Sequence, residues 1–184
     1  ARPGGFGGEA RIVAMDPAGP VVYRDGEVTI RALPVDHAPI DRALAYRIDY
    51  RGRSMVISGD TVKSTPLARF AKGADVLFHE ALEPRMIGRI GEQLAARGNA
   101  DAAKIMADIP GYHTSPEEAA EVAREAGVRQ LVLYHLVPAP PVSVIERVFL
   151  GEAKSVFPAT ELANDGMFVS LPATGKDIVF DDLL

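Results

Sequence analysis

The chain has four histidines, at positions 37, 79, 113 and 135. Each stands where regular structure is expected to end, in "VDHAP", "FHEAL", "GYHTSPEE" and "LVLYHLVP". Asp60 in "SGDT" and Glu80 in "FHEAL" occupy similar places. There is no cysteine, which excludes disulfides and thiolate ligands, so any metal must be held by His, Asp or Glu. Neutral imidazole combined with carboxylate suits zinc or another divalent cation. The plain alternative is four unrelated loop histidines.

Whether these groups meet depends on the elements that carry them. "RIVAM", "PVVYRD" and "EVTIRALPV" read as short strands separated by Asp-Pro, Gly-Pro and Asp-Gly turns. "LAYRIDYRGRSMVISGD" reads as a hairpin turning at Arg51-Gly52, with residues 54–58 as its second strand. Ser64-Thr65-Pro66 opens a short helix that ends near Gly73, and "DVLF" (75–78) is the next strand. Residues 83–109 carry two apolar helical stripes parted by Gly98-Asn99, a surface helix pair or a lid over the site. Ser115-Pro116-Glu117-Glu118 is a capping box, and its helix stops at Gly127. "QLVLY" is then a strand running into His135. Asn164-Asp165-Gly166 turns into "MFVSLP", and "DIVFDDLL" closes the chain as an acidic tail.

Strands alternating with helices predict an α/β layered fold. If strands 54–58, 75–78 and 131–134 are parallel neighbours, their C-terminal ends deliver Asp60, His79, Glu80 and His135 to one edge, where such folds bind ligands. At 184 residues and 47% hydrophobic content, a single domain with a true core is expected over 9–184, after a flexible Gly-rich stretch at 1–8. A net charge of −5 provides no overall basic field for nucleic acid. No apolar run reaches membrane-helix length and no signal peptide is visible, so a cytoplasmic protein without membrane partners is expected.

In this order, "VDHAP", "SGDT", "FHEAL", "YHTSPEEAAEVA" and "LVLYHLVP" resemble the C-terminal half of metallo-β-lactamase-fold hydrolases, over about residues 20–172. The branch they are most similar to is that of ribonuclease Z and its arylsulfatase-like and phosphodiesterase relatives. The resemblance implies the C-terminal part of a four-layer αββα sandwich. It implies two divalent metal ions, zinc by type, with His37 on the first, Asp60 bridging both and His135 on the second. Glu80 and His113 match a coupled pair that assists proton transfer to the leaving group. His79, the neighbour of Glu80 on a strand, points the other way and is expected to be structural. His135 would end its strand at a metal, with the proline loop after it fixing its direction.

The family's His-x-His-x-Asp-His signature is absent from this sequence. Three ligands for two metals are too few for a catalytic zinc centre. With a start at Ala1, this implies a missing N-terminal half, so the chain alone is expected to be inactive. The apolar inner sheet face would then dock that half or form a homo-oligomer. The resemblance implies that short bacterial ribonuclease Z enzymes carry a tRNA-gripping arm between the positions matching His37 and Asp60, and the 23 positions that separate them here leave no room for it. The implied reaction is attack by a metal-activated hydroxide on a phosphodiester, sulfate ester or similar small ester, with nucleic acid disfavoured. Lactonase or thioesterase chemistry of the same fold, or a non-catalytic binding module, are the alternatives.

Overall fold

The computed structural model describes Asp16 and residues 19–140 and 143–184; the "RIVAM" strand and the 1–8 stretch lie outside the described residues. Seven strands follow one another across a sheet in chain order. β1 (Val21–Asp25), β2 (Val28–His37), β3 (Ile40–Tyr50) and β4 (Arg53–Ile57) are antiparallel, joined by tight turns. The β3–β4 turn falls at Arg51 and Gly52, both with positive φ (48° and 75°), as a two-residue hairpin requires. From β4 onward the pairing is parallel, through β5 (Val76–Leu82), β6 (Gln130–Val137) and β7 (Thr160–Leu162). The expected shared edge therefore exists: β4, β5 and β6 are parallel neighbours.

Six α-helices are described. α1 (Thr65–Phe70) starts at Ser64, whose side chain accepts from the Leu67 N–H, with Pro66 in its first turn. α2 (Pro84–Ala96) and α3 (Ala100–Asp108) form the expected helix pair, parted by Gly98 and the cap Asn99. α4 (Pro116–Ala126) carries the full Ser115/Glu118 capping box and ends on left-handed Gly127. α5 (Ser143–Leu150) and α6 (Ala153–Val156) lead into β7; none of these three elements is legible in the turn-rich sequence around them.

One sheet face is buried under α1, α4, α5 and α6. Leu33, Ala45, Val56, Leu77, Leu131 and Leu133 alternate onto it, and helix alanines 119, 120 and 123 let α4 approach closely. The other face is covered only in part, by a hairpin of β8 (Met167–Ser170) and β9 (Val179–Asp182). The acidic tail is thus half strand. Met167 and Val169 line a cleft with Met55, Ile57, Phe78 and Tyr134, while Tyr46 and Tyr50 on the same face stay exposed.

Two boundaries differ from expectation. β5 continues through His79 and Glu80 to Leu82, and β6 through His135 to Val137. The reason is a bulge: Glu80 pairs with Tyr134 and Ala81 with Leu136, leaving His135 as the unmatched residue.

Candidate metal and acid-base site

Local backbone geometry aims each side chain. After β4 the chain turns at Gly59 (φ +62°), where a Cβ would sit 2.5 Å from the Leu44 carbonyl oxygen. Only glycine fits there, and Asp60 is thereby turned over the end of the sheet. His37 is the last residue of β2, just past a register shift. His135 has φ +47°, a left-handed conformation that swings its ring out of the strand's normal alternation. The bulge, rather than the proline loop after it, sets the direction of this ring.

Asp60 lies between two of the rings: its Oδ2 is 3.9 Å from His37 Nε2 and its Oδ1 is 3.4 Å from His135 Nδ1. The tautomer of His37 is fixed by a partner that the sequence did not reveal. Its Nδ1–H donates to the Tyr112 carbonyl at 2.8 Å, so in the neutral ring Nε2 presents a lone pair towards the carboxylate. A lone pair facing a carboxylate oxygen is unfavourable unless a proton or a cation lies between them. The donors are right in kind for a divalent metal and short in number. Among the described residues, no group of three or more His, Asp or Glu side chains is disposed to hold an ion by itself.

His113 joins the same cluster, its ring centroid 4.9 Å from that of His37 and 6.0 Å from that of His135. Glu80, wholly buried, stands behind it. One Glu80 oxygen accepts the backbone N–H groups of Thr61 (3.3 Å) and Thr114 (3.0 Å). The other faces His113 Nδ1 at 3.2 Å, close enough for an ion pair but off hydrogen-bond geometry, and neither of those two buried atoms has a hydrogen-bond partner. The Glu80 carboxylate beside it raises the His113 pKa above the ordinary histidine value, against the opposing effect of burial. Ser58 Oγ accepts the Glu80 N–H at 3.0 Å, and Thr114 Oγ donates to the Thr61 carbonyl at 2.5 Å, closing the frame.

Of the six residues singled out in the sequence, His37, Asp60, Glu80, His113 and His135 come together. His79 is buried with its Nδ1–H donating to the Glu80 carbonyl at 2.7 Å, and burial lowers its pKa. The supporting groups that sequence reasoning missed are Tyr112, Thr61, Thr114 and Ser58. Thr61 and Thr114 directly follow Asp60 and His113, so the adjacency was visible, but the use of their backbone N–H groups was not. Beside His135 lies a cavity of about 610 Å³, lined in part by Tyr134, Leu136, Met167, Glu146 and Asp165. Its volume suits a small organic group.

The beta-lactamase superfamily domain matches residues 2–136. Ribonuclease Z of Mycobacterium avium (strain 104) is 40% identical over 121 residues, 66% of this chain and 39% of that protein. Putative ribonuclease Z of Mycobacterium tuberculosis (strain CDC 1551 / Oshkosh) is 41% identical over 122 residues, 66% of this chain and 49% of its own. Among solved structures, the metallo-beta-lactamase fold protein YhfI from Bacillus subtilis aligns with a TM-score of 0.56 and 26% identity, over 83% of this chain and 51% of that one. The chain belongs to the beta-lactamase superfamily, with the metallo-β-lactamase fold, and is similar to its ribonuclease Z branch. It spans about half or less of the length of these curated relatives. Relatives named for cutting RNA count against the expectation that nucleic acid is disfavoured as a partner. Among the described residues, no helix is long and apolar enough to cross a membrane.

Proposed function

We propose that this chain carries the C-terminal ligands and the acid-base pair of a dinuclear metallohydrolase acting on phosphodiesters. The single observation behind this reading is the cluster itself: His37 Nε2 and His135 Nδ1 both face Asp60, with the buried Glu80–His113 pair beside them. Two divalent ions, zinc by donor type, would be held by His37, Asp60 and His135; when bound they supply Lewis acidity and an activated water. The chain's own residues do the rest. Thr61 and Thr114 fix Glu80, and Glu80 holds the proton on His113 Nδ1 and raises the ring's pKa. A protonated His113 can then give up its Nε2 proton to the leaving oxygen.

Three donors leave both ions short of ligands. We take the remainder to come from a His-x-His-x-Asp-His segment outside these 184 residues. That segment, or a second copy of the chain, would seat on the half-covered sheet face where Tyr46 and Tyr50 are exposed. The similarity to ribonuclease Z proteins supports a phosphodiester over a sulfate ester or lactone, and it brings RNA back among the candidate substrates despite the net negative charge.

Calorimetric zinc titration tests the ligand count. The 184-residue chain alone should bind zinc weakly; co-expressed with such a segment, it should bind two equivalents and hydrolyse bis(p-nitrophenyl) phosphate in preference to aryl sulfates, lactones and thioesters. Tight stoichiometric binding by the chain alone would count against the reading.

A further inference from the structure

At the far end of the sheet from Asp60, on the helix-covered face, lies a depression of about 420 Å³. It is lined by Arg24 of β1, Arg31 of β2, Arg47 and Asp49 of β3, and Arg69 of α1, with Thr29 and Phe70 completing the wall. Four guanidinium groups thus meet one carboxylate, in a chain whose acidic residues outnumber its basic ones, 25 to 20. Arg47 is committed: its Nε donates to Asp49 at 3.1 Å, and its Nη1 to the carbonyls of Phe70 (3.0 Å) and Lys72 (3.1 Å). The side chains of Arg24, Arg31 and Arg69 are exposed and have no ion-pair or hydrogen-bond partner among the described residues. Three unneutralised guanidiniums around one concavity repel each other and are stabilised by a multivalent anion; Arg in particular matches phosphate.

Position suggests which anion. Arg31 and Arg47 are register partners, on the same face as Leu33 and Ala45. Six strand positions separate Arg31 from His37, about 20 Å at roughly 3.3 Å per residue. α1 lies within the same interval, starting at Thr65, five residues after Asp60, and ending at Phe70 in the depression. A small diester cannot touch both places, whereas a nucleic-acid strand can, at about 3.4 Å per step in a duplex. We infer that this depression is an exosite for backbone phosphates of a nucleic-acid substrate whose scissile linkage lies at the Asp60 edge. The inference rests on the phosphodiester reading for its second half only; the binding is independent of turnover.

The test is fluorescence anisotropy of a labelled RNA hairpin with a stem of about ten base pairs, titrated with the metal-free 184-residue chain at several salt concentrations. Replacing Arg24, Arg31 and Arg69 by Gln should flatten the log K against log salt slope by about 2 to 3, from roughly 0.7–0.9 per phosphate contact. Arg47 is left intact because it anchors α1. A charge-matched control, Lys104→Gln with Arg124→Gln and Lys154→Gln, removes cations that already have carboxylate neighbours, and should keep the slope. Equal circular dichroism and thermal midpoint show that both triple variants fold. An unchanged slope in the arginine variant, an equal loss in the control, or polyglutamate competing as well as RNA would each overturn the exosite. Intact salt-dependent binding by the chain, with no phosphodiester turnover once it is co-expressed with the His-x-His-x-Asp-His segment and loaded with zinc, would instead overturn the hydrolase reading.

Discussion

The two ends of the parallel strands hold carboxylates in opposite conditions. At the N-terminal end, Asp75 is saturated: Arg53 reaches both its oxygens at 3.1 Å, Arg129 reaches one at 2.8 Å, and the Ser54 N–H donates at 2.9 Å. Arg53 is equally committed. It also donates to the carbonyls of Pro172 (3.0 Å), Gly175 (3.0 Å) and Asp177 (2.9 Å), pinning the segment between β8 and β9 to the sheet. At the C-terminal end, Asp60 has imidazole nitrogens at 3.4 and 3.9 Å, beyond good hydrogen-bond range, and one Glu80 oxygen has only His113. Similar chemistry serves stability at one end, and at the other leaves coordinating atoms uncommitted. Unsatisfied polar groups in an otherwise satisfied fold are the mark of a working site.

The largest expected effect is at the saturated end. Arg53→Met strands a part-buried Asp75 and uncaps three carbonyls, and should cost about 3–5 kcal/mol in urea unfolding. Limited proteolysis should then cut first within residues 171–178. Burial would raise the Asp75 pKa, but the Ser54 N–H and Arg53 outweigh it and hold it below the ordinary carboxylate range. A depressed carboxylate contributes stability above its unfolded pKa and loses it as pH falls through the folded value. The cost of Arg53→Met should accordingly shrink in strong acid; a constant cost across that range would mean the pair is not what Arg53 contributes.

Next is Glu80→Gln, expected to cost about 1–3 kcal/mol, as for loss of a hydrogen bond to a charged group. The amide oxygen can still accept from Thr61 and Thr114, so the frame should survive. His113 is the informative reporter. Its raised pKa adds stability that is full below the unfolded histidine pKa, about 6.5, and is lost as pH rises through the folded value. NMR titration should show the His113 pKa falling in Glu80→Gln, with the pH-dependent part of stability falling too. An unmoved pKa would remove Glu80 from the acid-base role.

How much of this contrast was legible in the sequence follows from contact range. The capping box, the Arg51-Gly52 turn and the parallel strand ends are written in neighbouring residues, and Asp60, Glu80 and His135 lie at or just past those strand ends, whereas His37 and His113 reach the cluster from an antiparallel strand and a helix start. The Arg53 latch joins positions more than a hundred residues apart and leaves no local signature. The His135 bulge is hidden for another reason. A nearly continuous apolar run carries "LVLYHLV" through the histidine with no alternation to mark a slip, and only the pairing with β5 shows that one residue is extra. α5, α6 and β7 are short and bounded by Gly and Pro, so their amphipathic signal never accumulates.

The bulge supplies a smaller test of the uncommitted end. His135 holds a left-handed φ that costs an L-residue roughly 1 kcal/mol and that glycine adopts freely. His135→Ala keeps that strain and loses the ring, while His135→Gly loses both. Glycine should therefore be more stable than alanine here by up to about 1 kcal/mol in thermal unfolding, the reverse of the usual strand order. If alanine is the more stable variant, the bulge does not hold His135 in the strained conformation.

The smallest stability effect belongs to the residue with the largest proposed functional weight. Asp60 is part-exposed, and its two contacts are long ion pairs whose partners are charged only when protonated. Exposed pairs of this kind contribute about 0–1 kcal/mol. Asp60→Asn keeps the shape and the Gly59 turn, so it should move the melting temperature by no more than a few degrees, at about 2–4 °C per kcal/mol for a domain of this size. What it should weaken and uncouple is the zinc response. In wild type, added zinc should shift the NMR resonances of both His37 and His135, because both rings face the same carboxylate. In Asp60→Asn the two rings should respond weakly and independently, since the group that couples them is gone. A loss of stability approaching that of Arg53→Met would erase the contrast between the two strand ends and place Asp60 among the residues that hold the fold.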